Sequence, residues 1–386
     1  MMRSGLRNNS NECFINSALQ CLAISPVIRD FIANYAKEDE KLIEVICKFK
    51  LGKFKADEIN IECERILKEH SDIIDASEKH ILSKLAKNSS DIFIYISFKQ
   101  MIINMNTNRG TVLNNARFLS IIKEICDGSG FEDLFSGSQQ DPHELMVYLF
   151  DKLHSAKSTK VNIDIPGNVN DMNEILQTYV KDFKARYEND YSYFVKSFYY
   201  YIVNCVECKK CTNKTLNMCP SDIITVSVPN ELLGGGITIY DCLNEMFKIE
   251  NIQYKCEKCS NEAENRIEKK ILTKSNTLII KIKRYELVGK ILKKINKFIQ
   301  YPLILDIKNY YCGEGGNTKY ELYGVINHSG MGIDGGHYYS FIRNTEEDGK
   351  FTDNWQCCND ERVSAISQEE ALSSANAYIL FYTLIN

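Results

Sequence analysis

The chain has 386 residues, which at ~150 residues per domain fits two to three domains and is ample for a sizeable buried core. Hydrophobic residues make up 44% and charged residues 25%, a balance that excludes collagen-like, disordered and membrane-embedded chains. Lys and Arg number 47 against 51 Asp and Glu, a net charge of −4, too near neutral to advertise a nucleic-acid surface.

Arg3 and Arg7 precede an apolar stretch from Phe14 to Ile24, but Asn16, Ser17 and Gln20 interrupt it, a poor fit to the apolar region of a secretory signal. The longest apolar runs, such as Ala377 to Ile385, fall short of the ~18 residues that span a bilayer. The expectation is therefore no membrane association and a reducing cytoplasmic or nuclear setting. There the 15 cysteines point to metal binding, a catalytic thiol and small buried side chains rather than a disulfide framework.

In chain order, Phe14, Ile15, Ala18, Leu19 and Leu22 recur at helical spacing and Pro26 ends the run, so Cys13 opens a helix. From Val27 to Leu153 the pattern stays mostly helical, including Lys41 to Phe49, Ala56 to Lys68, Phe118 to Cys126 and His143 to Leu153. Ser155 to Asp171, with Pro166 and Gly167, reads as a surface linker before a further helix from Met172 to Tyr187. The character then turns to β: Ile223 to Val228, Leu278 to Lys283, Lys319 to Ile326, His337 to Ile342 and Ala377 to Leu384 are rich in Ile, Val, Tyr and Phe between turn residues. Tyr199 to Tyr201 reads as strand core. Lys281 to Lys297 carries seven positive charges and one negative, but Ile280 and Ile282 alternate with Lys281 and Lys283, the mark of a solvated strand face rather than a nucleic-acid patch. No internal repeat or low-complexity tract is present.

Four constellations bear chemistry. A thiol at a helix N-terminus, as at Cys13, feels the partial positive charge of unpaired N–H groups, which favours its thiolate. His337, one of only six histidines, begins a strand just after Gly335 and Gly336, where a general base can face a groove and glycines let a substrate backbone come close. Trp355 to Val363 contains Asn359 and Asp360 in one turn, either of which can orient an imidazole. Nucleophile, base and orienter then follow the chain order Cys, His, Asn of papain-like thiol proteases. Lastly, Cys205 and Cys208, then Cys256 and Cys259, form two thiol pairs suited to tetrahedral zinc, with Cys208 and Cys211 a competing pair of the same spacing.

These residues together resemble the ubiquitin-specific proteases, the papain-like deubiquitinases, from Gly5 to Tyr382. Gly5-Leu6-Arg7-Asn8 through Cys13-Phe14-Ile15-Asn16-Ser17-Ala18-Leu19-Gln20 is similar to the family's cysteine box. Ser138 to Leu145 is similar to its Gln-Gln-Asp box, and Tyr323-Gly324-Val325 through Gly335-Gly336-His337-Tyr338 to its histidine box. Trp355 to Val363, Ala377 to Tyr382, Leu278 to Tyr285 and the cysteine pairs also resemble it. The resemblance implies an α+β, papain-like ubiquitin-specific protease fold forming one catalytic domain over 1–386. Its parts would be an α-helical thumb at about 1–155 carrying the nucleophile, zinc-tipped β fingers at 196–300 that grip the body of ubiquitin, and a β-rich palm at 301–386 carrying the base. It implies Cys13 as nucleophile, His337 as base, Asn359 as orienter with Asp360 its rival, and Asn8 as the side-chain donor of the oxyanion hole. Asp141, Glu144, Gly335, Gly336 and Tyr338 map to the ubiquitin tail, whose arginines suit carboxylates. Cys205, Cys208, Cys256 and Cys259 are the expected ligands of a structural zinc, with no organic cofactor.

The expected activity is hydrolysis of the (iso)peptide bond after the C-terminal glycine of ubiquitin, with ubiquitin or ubiquitinated proteins as partners and neither nucleic acid nor membrane. Two rival readings are a protease for a ubiquitin-like modifier with a Gly-Gly tail and a weak or inactive ubiquitin-binding module. Ser10 stands where the family usually has Gly, Glu12 replaces a small residue before the nucleophile, and Leu145 replaces an aromatic. A carboxylate beside the thiol is expected to oppose its ionisation and slow the enzyme. Residues 28–115 and 155–195 match no motif of the family.

Overall fold

The structure, a computed structural model, describes residues 2–70, 72–126, 130–165, 169–229, 236–260, 262–289, 291–330, 335–346 and 349–385. Pro166 and Gly167, read above as linker residues, lie outside the described residues. The chain forms two compact units. The first comprises Met1–Ser158, Ser192–Phe194 and Gln356–Ala365, and the second Thr159–Tyr191, Val195–Trp355 and Ile366–Asn386.

The first unit is helical. Its helices are Cys13–Ala23, Pro26–Asn34, Ala36–Lys48, Ala56–Glu69, Ala76–Thr107, Ala116–Cys126 and Pro142–Lys157. Local chemistry starts them: Ser25 accepts the Ile28 N–H with Pro26 in the first turn, Asp75 and Glu78 form a capping box, and Asp141 accepts the His143 N–H ahead of Pro142. Every residue of Cys13–Ala23 is buried, as befits a helix enclosed on all sides. The long helix Ala76–Thr107 bends at Asn88, whose φ of −135° and ψ of 34° leave the helical region. A charge network lies inside this unit. Asp39, 2% exposed, accepts from Tyr95 Oη at 2.6 Å, Lys99 Nζ at 2.5 Å and Lys157 Nζ at 2.5 Å. The Lys157 ammonium also stands 4.4 Å from the centre of the Tyr95 ring.

The second unit is built on a sheet whose neighbouring strands are Phe351–Asn359, His337–Thr345, Lys319–Ser329, Ala377–Leu384, Thr277–Lys283 and Ile223–Ser227, with Ile304–Asp306 beside Lys319–Ser329. The first of these strands begins in the second unit, and its last residues and the turn after it belong to the first. Ile280, Ile282, Leu322, Val325, Leu380 and Tyr382 form part of a core closed by the helix Ile239–Phe247. Arg284 is buried in the same unit without a carboxylate partner among the described residues. Its Nε and one terminal nitrogen donate to Ala377 O at 3.0 and 2.8 Å, and the other to Lys297 O at 2.5 Å. A separate four-stranded sheet pairs Lys214–Ser221, Tyr200–Glu207, Glu262–Ile271 and Glu250–Lys255, in that order. The helix Glu174–Tyr187 packs Tyr179, Phe183 and Tyr187 over Tyr201, Val203, Leu216 and Met218, alternate positions on one face of that sheet. This helix, from a stretch silent in motif, thus supplies apolar cover to that sheet.

The helices and strands read from periodicity are present. Tyr200 and Tyr201 are strand residues only 1% and 2% exposed, as expected of strand core. Among the described residues no helix is long and apolar enough to cross a membrane.

Replacing Asp39 by Ala would leave the buried Lys157 and the partly buried Lys99 ammonium groups without their shared carboxylate. A loss of roughly 3–5 kcal/mol of stability is expected, read as a lower urea midpoint at unchanged slope, with Asp39→Asn losing less because it keeps an acceptor.

Candidate active site and a four-cysteine cluster

Cys13 is the first residue of its helix and is 2% exposed. The loop before it is held at several points. Gly5 and Leu6 pair in parallel with Val112 and Leu113, and the Leu6 N–H donates to Asp360 O at 2.8 Å. The backbones there are so close that a Cβ on Gly5 would stand 2.3 Å from Glu361 O, so only glycine fits. Asn8 Oδ1 accepts the Glu12 N–H at 3.0 Å, while Asn8 Nδ2 donates to Asp360 Oδ2 at 2.8 Å. Its second amide hydrogen makes no bond among the described residues, which leaves a donor held beside the start of the helix that Cys13 opens.

Asp360 holds more than Asn8. Its other oxygen accepts Asn16 Nδ2 at 2.8 Å, and Asn16 Oδ1 accepts Asn115 Nδ2 at 2.8 Å. Asn16 and Asn115 are 2% and 0% exposed, so a chain of amides runs inside the first unit from Asp360 through the helix that begins at Cys13. Asp360 sits in the turn after Asn359 with φ of 50°, a conformation that short polar side chains tolerate best after glycine. Of the two candidates for orienting an imidazole, Asp360 has one oxygen turned to Asn8 and the other to Asn16, and Asn359 lies exposed at the end of its strand. Asn16 was legible as a motif residue but not as part of the site; its signal was an amide three residues after the thiol, buried with Ser17 and Gln20 on a mostly apolar helix.

Glu12 directs its carboxylate to the Asn9 N–H at 3.1 Å, closing the loop it belongs to. Asp141 caps the helix Pro142–Lys157 through the His143 N–H at 2.9 Å, and Glu144 lies exposed in its first turn. Leu145 is fully buried, which suits an aliphatic side chain in place of an aromatic.

The second unit carries His337, Gly335, Gly336 and Tyr338. His337 begins its strand, paired with Ser329, and its ring lies 6.5 Å from that of Tyr339 at an interplanar angle of 17°. Tyr338, expected at the substrate tail, is 8% exposed, its ring 4.5 Å from that of His328 and 6.0 Å from that of Tyr378. His328, Tyr285 and Lys294, which gather at the same place, were not singled out from sequence.

The cysteine expectation is corrected. The clustered thiols are Cys208, Cys211, Cys256 and Cys259, all within 4.8 Å of one another, and Cys205 is not among them. The reason is strand geometry. Cys205 lies within the strand Tyr200–Glu207, opposite Leu216 and Glu268, and at ~3.3 Å per residue it is about 10 Å of strand away from Cys208. The other four occupy the turns after Tyr200–Glu207 and after Glu250–Lys255. Both turns have one design: Thr212 N–H donates to Cys208 O and Ser260 N–H to Cys256 O, each at 2.8 Å, with Thr212 and Ser260 left-handed at φ of 56° and 51°. The sulfurs of Cys208 and Cys259 are 3.8 Å apart and those of Cys211 and Cys256 3.7 Å apart. A regular tetrahedron with ~2.3 Å metal–sulfur arms has edges of about 3.8 Å, so the donor set is compatible with structural zinc. The backbone amides of Cys211 and Lys210 pull the Cys208 thiol down to about 6, which favours the thiolate a metal needs.

Residues 4–382 match the family described as ubiquitin carboxyl-terminal hydrolase, and the chain belongs to that family. It is 26% identical to ubiquitin carboxyl-terminal hydrolase 25 of Arabidopsis thaliana over 394 residues, covering 99% of this chain and 47% of that protein. It is 24% identical to ubiquitin carboxyl-terminal hydrolase 4 of Saccharomyces cerevisiae over 422 residues, covering 98% and 39%. The chain thus spans less than half the length of these two curated relatives. In fold it is similar to the SAGA Ubp8/Sgf11/Sus1/Sgf73 DUB module bound to ubiquitin aldehyde, with a TM-score of 0.64 at 21% identity over 99% of this chain and 70% of that one.

Asp360→Ala removes an acceptor from Asn8 and another from Asn16. If Asn8 supplies the oxyanion donor, turnover of an amide substrate is expected to fall by roughly 10²-fold, the cost of losing such a donor. Asn8→Ala should fall by about as much, and the double variant should add little further, a pattern checked by comparing kcat across the three.

Proposed function

We infer that the chain is a deubiquitinating cysteine protease that hydrolyses the (iso)peptide bond after the C-terminal glycine of ubiquitin. The observation that carries this reading is the Asn8 amide, fixed between the Glu12 N–H and the Asp360 carboxylate at the mouth of the helix that Cys13 opens. A donor pinned in this way needs no reorganisation when negative charge develops on a carbonyl oxygen. In the proposed reaction His337 takes the Cys13 proton, the sulfur attacks the carbonyl, Asn8 and backbone N–H groups receive the oxyanion, and His337 returns the proton to the leaving amine. Water then hydrolyses the thioester. Asn359 is the residue assigned to orient His337, with Asp360, which also holds Asn8 and Asn16, its rival. Asp141, Glu144, Gly335, Gly336 and Tyr338 are assigned to the ubiquitin tail and the four-stranded sheet to its body. The cytoplasm or nucleus is the proposed compartment, and neither nucleic acid nor membrane enters the reading.

Zinc is the metal assigned to Cys208, Cys211, Cys256 and Cys259. Its role there is structural, since four thiolates leave no coordination position for substrate. It would tie the two hairpin turns together. Cys211→Ser and Cys256→Ser are each expected to lose bound zinc and thermal stability, while Cys205→Ser retains both; elemental analysis of freshly purified protein checks the set.

Ubiquitin bearing a C-terminal electrophile should form one covalent adduct, on Cys13, and Cys13→Ala should abolish both the adduct and hydrolysis of a ubiquitin C-terminal amide while leaving ubiquitin affinity within about twofold. Adducts with ubiquitin-like modifiers but none with ubiquitin would favour the first rival. Ubiquitin binding with no adduct at all would favour the inactive module.

A further inference from the structure

The run Lys281 to Lys297 reads as a solvated strand face, yet one of its lysines is used inside the protein. After Thr277–Lys283 the chain forms a hairpin of Tyr285–Val288 and Ile291–Lys294, in which Tyr285 stands opposite Lys294. Residues opposite one another in an antiparallel pair share a face, and both side chains reach the end of the strand Lys319–Ser329. Tyr285 Oη lies 3.2 Å from His328 Nδ1. Lys294 Nζ donates to His328 O at 2.9 Å and to Gly330 O at 2.8 Å. Among the described residues no carboxylate pairs with Lys294. Burial, helped by Arg284, holds its ammonium below the ordinary lysine value. A half-buried cation is thus spent wholly on two backbone carbonyls.

Those carbonyls flank Ser329, and Ser329 is the residue paired with His337 in the last rung of its ladder. The layer beyond is equally tight. A Cβ on Gly330 would stand 2.7 Å from Gly336 Cα, and a Cβ on Gly336 would stand 2.2 Å from His328 Nε2. Ends of ladders are where strands fray first, and a general base there needs its backbone fixed from outside. The hairpin itself is fixed by Arg284, which spans Ala377 O and Lys297 O.

We propose that Lys294 is a positioning residue for His337: by gripping the carbonyls on either side of Ser329, it fixes the rung on which the base stands without touching the base. The proposal rests on His337 being the base. Its distinctive demand is for a donor that serves two acceptors at once, which methionine of similar length cannot meet and arginine can.

The test compares the intact chain with Lys294→Met, Lys294→Gln and Lys294→Arg in two measurements. In hydrolysis of a ubiquitin C-terminal amide, Lys294→Met should lower kcat by about 10-fold to 100-fold with KM within about twofold, as misplacement of a catalytic group does. Lys294→Arg should recover kcat to within about threefold of the intact chain. In amide hydrogen exchange, Gly336 to Tyr338 should exchange at least about 10-fold faster in Lys294→Met and return towards normal in Lys294→Arg, with the strand Ala377–Leu384 unchanged. Should Lys294→Met fail to fold, Lys294→Gln carries the same comparison, since its amide nitrogen sits one bond nearer the backbone than the lysine ammonium, too short to grip both carbonyls, and carries no charge. Wild-type kcat together with wild-type exchange in a folded Lys294→Met or Lys294→Gln overturns the proposal. An intact chain that turns over no ubiquitin amide overturns the functional reading instead, and the exchange arm still decides whether Lys294 holds the rung.

Discussion

The Asp360 carboxylate is the joint on which the candidate site depends. One oxygen holds Asn8 and the other Asn16, so a single side chain fixes the loop before Cys13 and the helix that Cys13 opens. Neither asparagine can turn without breaking a charge-assisted bond in a largely enclosed place, where such a bond is worth more and its loss costs more than in water. The left-handed backbone at Asp360 and the glycine at position 5 serve the same joint: one aims the carboxylate inward, the other lets the chain ends approach closely enough for the Leu6 N–H to reach Asp360 O.

A second theme is the use of cations on backbone rather than on carboxylates. Arg284 and Lys294, ten residues apart, both donate to carbonyl oxygens and both sit where burial depresses their basicity. A carbonyl carries only a partial charge, so this arrangement trades Coulombic energy for shape: a guanidinium or ammonium can bind several segments that share no side-chain chemistry. The Asp39 network follows the opposite rule, gathering two lysines and a tyrosine on one buried carboxylate.

Much of this was legible in the sequence where a local pattern carries the information. Helices such as Cys13 to Leu22 and Ala56 to Lys68 follow from the helical spacing of their apolar residues, and strands such as Leu278 to Lys283 from alternation and β-branched residues. The cysteine ligands were half legible. Two Cys-x-x-Cys spacings are available around Cys208, and choosing between them requires knowing where the strand Tyr200–Glu207 ends, a boundary set by pairing with distant strands. Asp360 as the partner of Asn8 and Asn16 was not legible, because turn residues reveal their direction only through φ and through what the turn packs against. Lys294 was misfiled with its neighbours because charge runs look alike until one member is found facing inward.

The span of the Asp360 bonds has a consequence for how the protein comes to be competent. Asn8 and Asp360 are 352 residues apart, and Asn16 and Asp360 344 apart. Synthesis runs from the N-terminus and supplies residues at a few per second, so the thiol-bearing helix is made long before the turn that braces it. A nascent or prematurely ended chain that stops short of residue 360 carries the nucleophile but no fixed Asn8. Contacts of such long sequence separation also form late in folding, after shorter loops have closed. The brace therefore comes late: the loop at Asn8 is fixed only once the turn at Asp360 has been made and packed against it.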